Sequence, residues 1–121
     1  MASVADFDDL EIYQRAVDLA NWVYDITDRF PKEEKYGLIS QLRRAAISIG
    51  GNIAEGFGRY YYKENKLFCY YARGSLLEVK SHLLISLKRN LITQKEFDQF
   101  EKSYLRFKVK LNNYIVSIGK K

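Results

Sequence analysis

Apolar side chains return every three or four residues through four successive stretches of this 121-residue chain. That is the period of an α-helix that shows one face to a core. No stretch sustains the alternation of a half-buried strand, so no sheet is expected. The first stretch runs from about Asp9 to Phe30, with Ile12, Ala16, Leu19, Val23 and Ile26 on one stripe and Tyr13, Val17, Ala20, Tyr24 and Thr27 on the next. Asp8 and Glu11 have the spacing of a capping box at its start. Pro31 breaks the helix and suits the first turn of another.

The second stretch spans residues 32–57 and would form a rod of roughly 39 Å. Leu38, Leu42, Ala45, Ala46, Ile49, Ile53 and Ala54 make its apolar face, and Gly56 and Gly58 signal its end. The third spans residues 62–90, with Leu67, Phe68, Tyr71, Ala72, Ser75, Leu76, Val79 and Leu83 on the inner side and Asn90 as the C-terminal cap. The fourth spans residues 94–118. Thr93 and Glu96 form a capping box ahead of Phe97, Phe100, Tyr104, Phe107 or Lys108, Leu111, Tyr114, Ile115 and Ile118. Four long amphipathic helices with short connections predict one domain over residues 1–121, an all-α antiparallel up-and-down four-helix bundle.

"RRAAISIGGNIAEGFGR", residues 43–59, breaks the local rules. Gly50 and Gly51 sit mid-helix, where each costs about 1 kcal/mol relative to Ala. Ala45, Ala46, Ser48 and Ala54 are small as well, and the third helix offers Ala72, Gly74 and Ser75. Small residues let two helix backbones approach closely, so the glycines are read as marking a helix crossing. Arg44, Asn52, Glu55, Arg59, Arg73 and Glu78 lie on or near the same faces. A carboxylate near a bundle interior must be paired, since stranding it costs several kcal/mol. Glu55 and Glu78 are therefore expected to pair with arginines of this set, in a structural polar network that fixes which helix faces which.

No metal, cofactor or catalytic site is expected. The glycine-rich stretch lacks the spacing of a phosphate loop and follows no strand. A di-iron bundle needs two Glu-x-x-His motifs, and the chain has one histidine, His82, with Glu78 four residues before it. Cys69 lies in the apolar "LFCYYA", where a buried thiol is inert. The serines have no base at a recognisable spacing. No enzyme is expected.

One cysteine rules out an internal disulfide and fits a reducing compartment. The opening "MASVADFDDLE" lacks the apolar core of a signal peptide, and no run approaches 18 apolar residues. A cytoplasmic protein without membrane contact is expected. Charge is uneven: residues 1–60 carry 7 Lys/Arg against 10 Asp/Glu, a balance of −3, and residues 61–121 carry 13 against 5, a balance of +8. A basic half attracts anionic partners. Lys95, Lys102, Arg106 and Lys110 are nearly aligned along the fourth helix, with Lys108 beside them, and form a candidate nucleic-acid stripe. Ten Tyr and seven Phe exceed what a small interior needs and point to subunit contacts.

"FP–EE–YGL–QLRRA", "NIAEG–GR" and "ARGSL–E", in that order, resemble the bacterial four-helix-bundle proteins encoded in intervening sequences of 23S rRNA genes. These are related to the accessory variability determinant of diversity-generating retroelements. The resemblance covers residues 7–118. It implies a ring-shaped homopentamer without known enzymatic activity. It also implies, from the retroelement relatives, nucleic-acid binding through a basic surface and contact with a reverse transcriptase. Gln41, Arg43, Arg44, Asn52, Glu55, Gly56, Arg59, Arg73, Gly74, Ser75 and Glu78 match the family's motif positions and are read as structural. Tyr61 stands where the family tends to place Ser or Thr as cap of the third helix, so that helix start frays or finds another cap, and Tyr60–Tyr62 are free to pack on a neighbour. Two functions follow as expectations: a nucleic-acid-binding oligomer, or a protein-interaction scaffold for a reverse transcriptase or ribosomal factor.

Overall fold

The computed structural model describes residues 4–120, so the first three residues of the acidic opening segment lie outside the described residues. Four helices are built: α1 (Glu11–Thr27), α2 (Ser40–Phe57), α3 (Tyr62–Lys88) and α4 (Gln94–Ser117). There is no strand among the described residues. The expected apolar stripes of α1 and α4 close on one another around a single core, with Val23, Leu42, Ile49, Leu76, Leu83 and Leu111 fully inside. Each helix neighbours the next, and α4 returns to α1, where Trp22 stacks on Phe100 with ring centroids 5.9 Å apart.

Local chemistry sets the helix ends. The Asp8–Glu11 box does not form. Asp6 caps a short 3-10 turn over Phe7–Asp9 instead, and Asp9 is its reciprocal partner, so α1 starts two residues later than expected. α1 also stops at Thr27, short of Phe30, because its last amides turn tightly back onto carbonyls of residues 24–27. Helix two is not continuous from residue 32. A 3-10 turn (Lys32–Glu34) and a wide π turn (Lys35–Ile39) precede α2, and Gly37 inside the π turn has non-helical torsions. The Glu34 carboxylate accepts the Leu38 amide at 3.4 Å, and a Cβ on Gly37 would lie 3.1 Å from that carboxylate. The straight part of α2 is therefore 18 residues, about 27 Å.

α3 begins on Tyr61, whose side chain makes no capping bond. It ends in a Schellman turn: the Leu91 amide reaches the Ser86 carbonyl at 2.9 Å, with Asn90 in the left-handed region at φ 62°. Asn90 thus sits one place beyond the cap. The Thr93–Glu96 box at the head of α4 forms as expected, with both reciprocal bonds present.

α3 departs most from its expected face. Leu67 and Tyr71 are exposed and Ser86 is fully buried, although Ala72, Leu76, Val79 and Leu83 are inside as expected and Cys69 is buried as read.

The glycines divide into two kinds. Gly50 lies against α1, where an added Cβ would be 3.2 Å from the Tyr13 ring. Gly56 lies still closer against α3. Gly51 and Gly74 have nothing within 4 Å of such a Cβ and face outward. The reading of small residues as a crossing holds for Gly50 but not for Gly51 and Gly74, and Gly56, expected to signal the helix end, lies inside α2 as a second close approach while Gly58 caps it. Close approach of α2 and α3 is also marked by Ser48 donating to Ser75 at 2.7 Å.

Candidate nucleic-acid interface

α4 turns Phe100, Tyr104, Phe107 and Leu111 inward. At 3.6 residues per turn, Lys95, Lys102 and Arg106 fall within about 40° of one another on the opposite side. All three are exposed, and none joins an ion pair among the described residues. The other two expected members are placed differently. Lys110 reaches across to α1, its Nζ 3.3 Å from Glu11 Oε2, and Arg15 donates to the same oxygen at 2.9 Å. The Arg15 hydrogen bond, followed by that of Lys110, holds the Glu11 carboxyl below the usual carboxylate range. Lys108 lies on the α3 side of α4. Its Nζ is 5.5 Å from the centroid of Tyr104, and Lys80 approaches the same ring at 4.7 Å while pairing with Glu101 at 3.0 Å. Two positions along a helix are 200° apart, which puts Lys108 opposite Arg106 rather than beside it.

The polar network expected around the small residues does not assemble as one cluster. Arg59 pairs with Glu55 at 3.0 Å, but within one helical turn and in the open; it also lies 3.7 Å from Glu64 and stacks 4.6 Å from the Phe68 ring. Glu78 pairs with His82 at 3.2 Å, not with an arginine. Arg73 donates to Asn112 at 2.8 Å, joining α3 to α4 rather than to α2. Asn52 donates to the Ser48 carbonyl on its own helix at 2.9 Å. Arg44 is exposed and makes no side-chain bond among the described residues. Neighbouring residues on a helix point 100° apart, so spacing alone could not tell which of these charges cross to another helix.

The clamp between helices is Arg43, one position before Arg44. Its Nε donates to Thr27 Oγ1 at 2.9 Å, its Nη2 pairs with Asp28 at 2.8 Å, and its guanidinium lies 4.4 Å from the Tyr24 ring centroid. The available signal was its angle: Arg43 lies on the flank of α2 that also carries Gly50, the side that meets α1.

The interior offers little reactive chemistry. Burial pushes the Cys69 thiol up to about 11, and no group of His, Cys, Asp or Glu suited to a metal ion occurs among the described residues. An open surface groove of about 560 Å³ lies at the α3–α4 turn beside Arg29, Lys88 and Thr93. No helix among the described residues is long and apolar enough to cross a membrane.

Four helices closed around one apolar core, with unpaired cations on an outer face, define an all-α four-helix protein whose charged chemistry lies at its surface. The chain belongs to the 23S rRNA-intervening sequence protein family, whose family model matches residues 8–113. No curated protein matches it.

Proposed function

We propose that this is a non-enzymatic, cytoplasmic oligomer that binds RNA or DNA through the outer face of α4. The observation that carries the reading is the trio Lys95, Lys102 and Arg106, exposed on one face without a carboxylate partner among the described residues. Cations left unmatched in this way are available to phosphates, and each phosphate neutralised adds to a salt-dependent affinity. The helices run up and down in alternation in this reading: Lys80 meets Glu101 and Arg73 meets Asn112, so numbers fall on α3 as they rise on α4. The chains assemble as a homopentameric ring, which repeats the trio and multiplies a weak contact by avidity. Exposed Leu77, Leu84, Leu105, Val109 and Val116 supply apolar surface for such contacts.

The test is light scattering for the assembled mass, followed by titration of the same sample with RNA and DNA at two salt levels. Lys102→Glu with Arg106→Glu is expected to abolish binding while leaving helicity unchanged. Absence of binding at low salt would overturn the proposal.

The same exposed apolar side chains favour a second reading, a scaffold for a reverse transcriptase or ribosomal factor. A gene beside a reverse transcriptase, rather than inside an rRNA operon, would favour it.

A further inference from the structure

Residues 59–73, "RYYYKENKLFCYYAR", interleave aromatic and basic side chains at the start of α3. Tyr62 has a role within the chain: its ring packs on Gly119, where a Cβ would come within 3.0 Å. Tyr60 and Tyr61 have no such role. They are 88% and 63% exposed, and their rings meet edge to face with centroids 4.9 Å apart. One to three turns into α3, Tyr70 and Leu67 line an open groove of about 460 Å³ together with Lys63 and Lys66. The Tyr70 ring is steadied by the Arg73 guanidinium, 5.0 Å from its centroid, which Asn112 holds at 2.8 Å. Lys63 and Lys66 join no ion pair among the described residues. The one carboxylate there, Glu64, leans toward Arg59 at 3.7 Å.

Exposed tyrosine rings beside unmatched ammonium groups are complementary to a ligand with open π faces and a regularly charged backbone. A single-stranded nucleic acid has both; a duplex hides its base faces in the stack. We infer that Tyr60, Tyr61 and Tyr70, with Lys63 and Lys66, form a stacking platform for single-stranded RNA or DNA. This inference rests on the nucleic-acid reading above and adds the strandedness of the ligand. Tyr60 and Tyr61 would stack on bases, while Lys63 and Lys66 would meet phosphates along the groove.

The experiment is fluorescence anisotropy of the full chain with labelled oligouridylate, oligothymidylate and a duplex, each of about 20 nucleotides. The two single strands separate RNA from DNA as the source of the shared chemistry. Tyr60→Ala/Tyr61→Ala is expected to weaken single-strand binding roughly tenfold or more, with the salt slope unchanged because no phosphate contact is lost. Tyr60→Phe/Tyr61→Phe keeps the ring faces and is expected to bind as the parent does. Lys63→Gln/Lys66→Gln is expected to lower the salt slope. Tyr70→Ala, with circular dichroism to confirm the fold, extends the test into the groove.

Single-strand binding unaffected by the tyrosine variants, or a duplex bound equally well, overturns this inference. If the α4 reversals still abolish binding in that case, the α4 reading stands without it. No binding of any oligonucleotide at low salt overturns both. A change in assembled mass on losing the tyrosines, with affinity per chain unchanged, would make the platform a contact between copies and overturn the inference.

Discussion

Gly56 and Phe68 hold α2 and α3 so close that no side chain fits between them: a Cβ on Gly56 would lie 2.9 Å from the Cβ of Phe68. It would lie equally near Asn65 Oδ1 and 3.0 Å from the Asn65 carbonyl. Backbone and a Cβ cannot swing aside as the end of a long side chain can. Gly56→Ala is therefore expected to destabilise the fold by about 1–3 kcal/mol through overpacking, despite the helix propensity of Ala. Gly51→Ala and Gly74→Ala meet open space and are expected to stabilise by about 0.5–1 kcal/mol. Urea denaturation of the three variants checks the signs. Equal effects at positions 51 and 56 would contradict the packing account.

The α4 cap ties stability to pH. Glu96 accepts the Thr93 amide at 2.8 Å and pairs with Arg29, and these bonds, the Thr93 amide foremost, hold its carboxyl below the usual range. A depressed carboxylate contributes stability that is whole above the ordinary glutamate pKa of about 4.3. That contribution is lost as pH falls through the lower folded value. Glu96→Gln is expected to flatten the drop in melting temperature between neutral pH and about pH 3. Thr93→Ala is expected to cost about 1 kcal/mol at neutral pH.

Arg43 closes the α1–α2 seam with a planar fork that a point charge does not copy. Arg43→Ala is expected to cost about 1.5–3 kcal/mol, since it removes charged hydrogen bonds and strips Thr27 Oγ1 of one partner. Arg43→Lys is expected to recover only part of that. Arg44→Ala, with no partner among the described residues, is expected to stay within about 0.5 kcal/mol of the parent. Equilibrium unfolding of the three separates two arginines that sequence alone treats alike.

The sequence carried most of the fold where one face of a helix is apolar and the other polar. Ile12, Ala16, Leu19, Val23 and Ile26 in α1, and Phe97, Phe100, Tyr104, Phe107, Leu111 and Ile115 in α4, are buried as their period requires, with Tyr114 half-buried. On α3 it placed Ala72, Leu76, Val79 and Leu83 inside correctly but misplaced Leu67 and Tyr71, which are exposed, as are the apolar Leu77, Leu84 and Ile85 on the outer side. A helix apolar all round gives no angular signal for its inner side. The break before α2 was hidden because a side chain sets it, the Glu34 carboxylate folding back to Leu38.

The charged site was legible only in part for a related reason. Position along a helix gives an angle, and the angle groups Lys95, Lys102 and Arg106 correctly. It says nothing of what stands opposite, so the Glu11 partner of Lys110 emerges only once helices are packed, whereas the Glu78–His82 pair sits one turn apart on α3 itself, at a spacing the sequence shows.

The central claim is that α4 presents unmatched cations to a polyanion. The most direct measurement is the slope of log affinity against log salt for RNA and DNA, for the parent chain and for Lys95→Glu/Lys102→Glu/Arg106→Glu. Log affinity of the parent is expected to fall linearly with log salt, and the variant to lose binding with its helicity intact. A parent that binds neither polymer at low salt, or a variant with an unaltered slope, would contradict it.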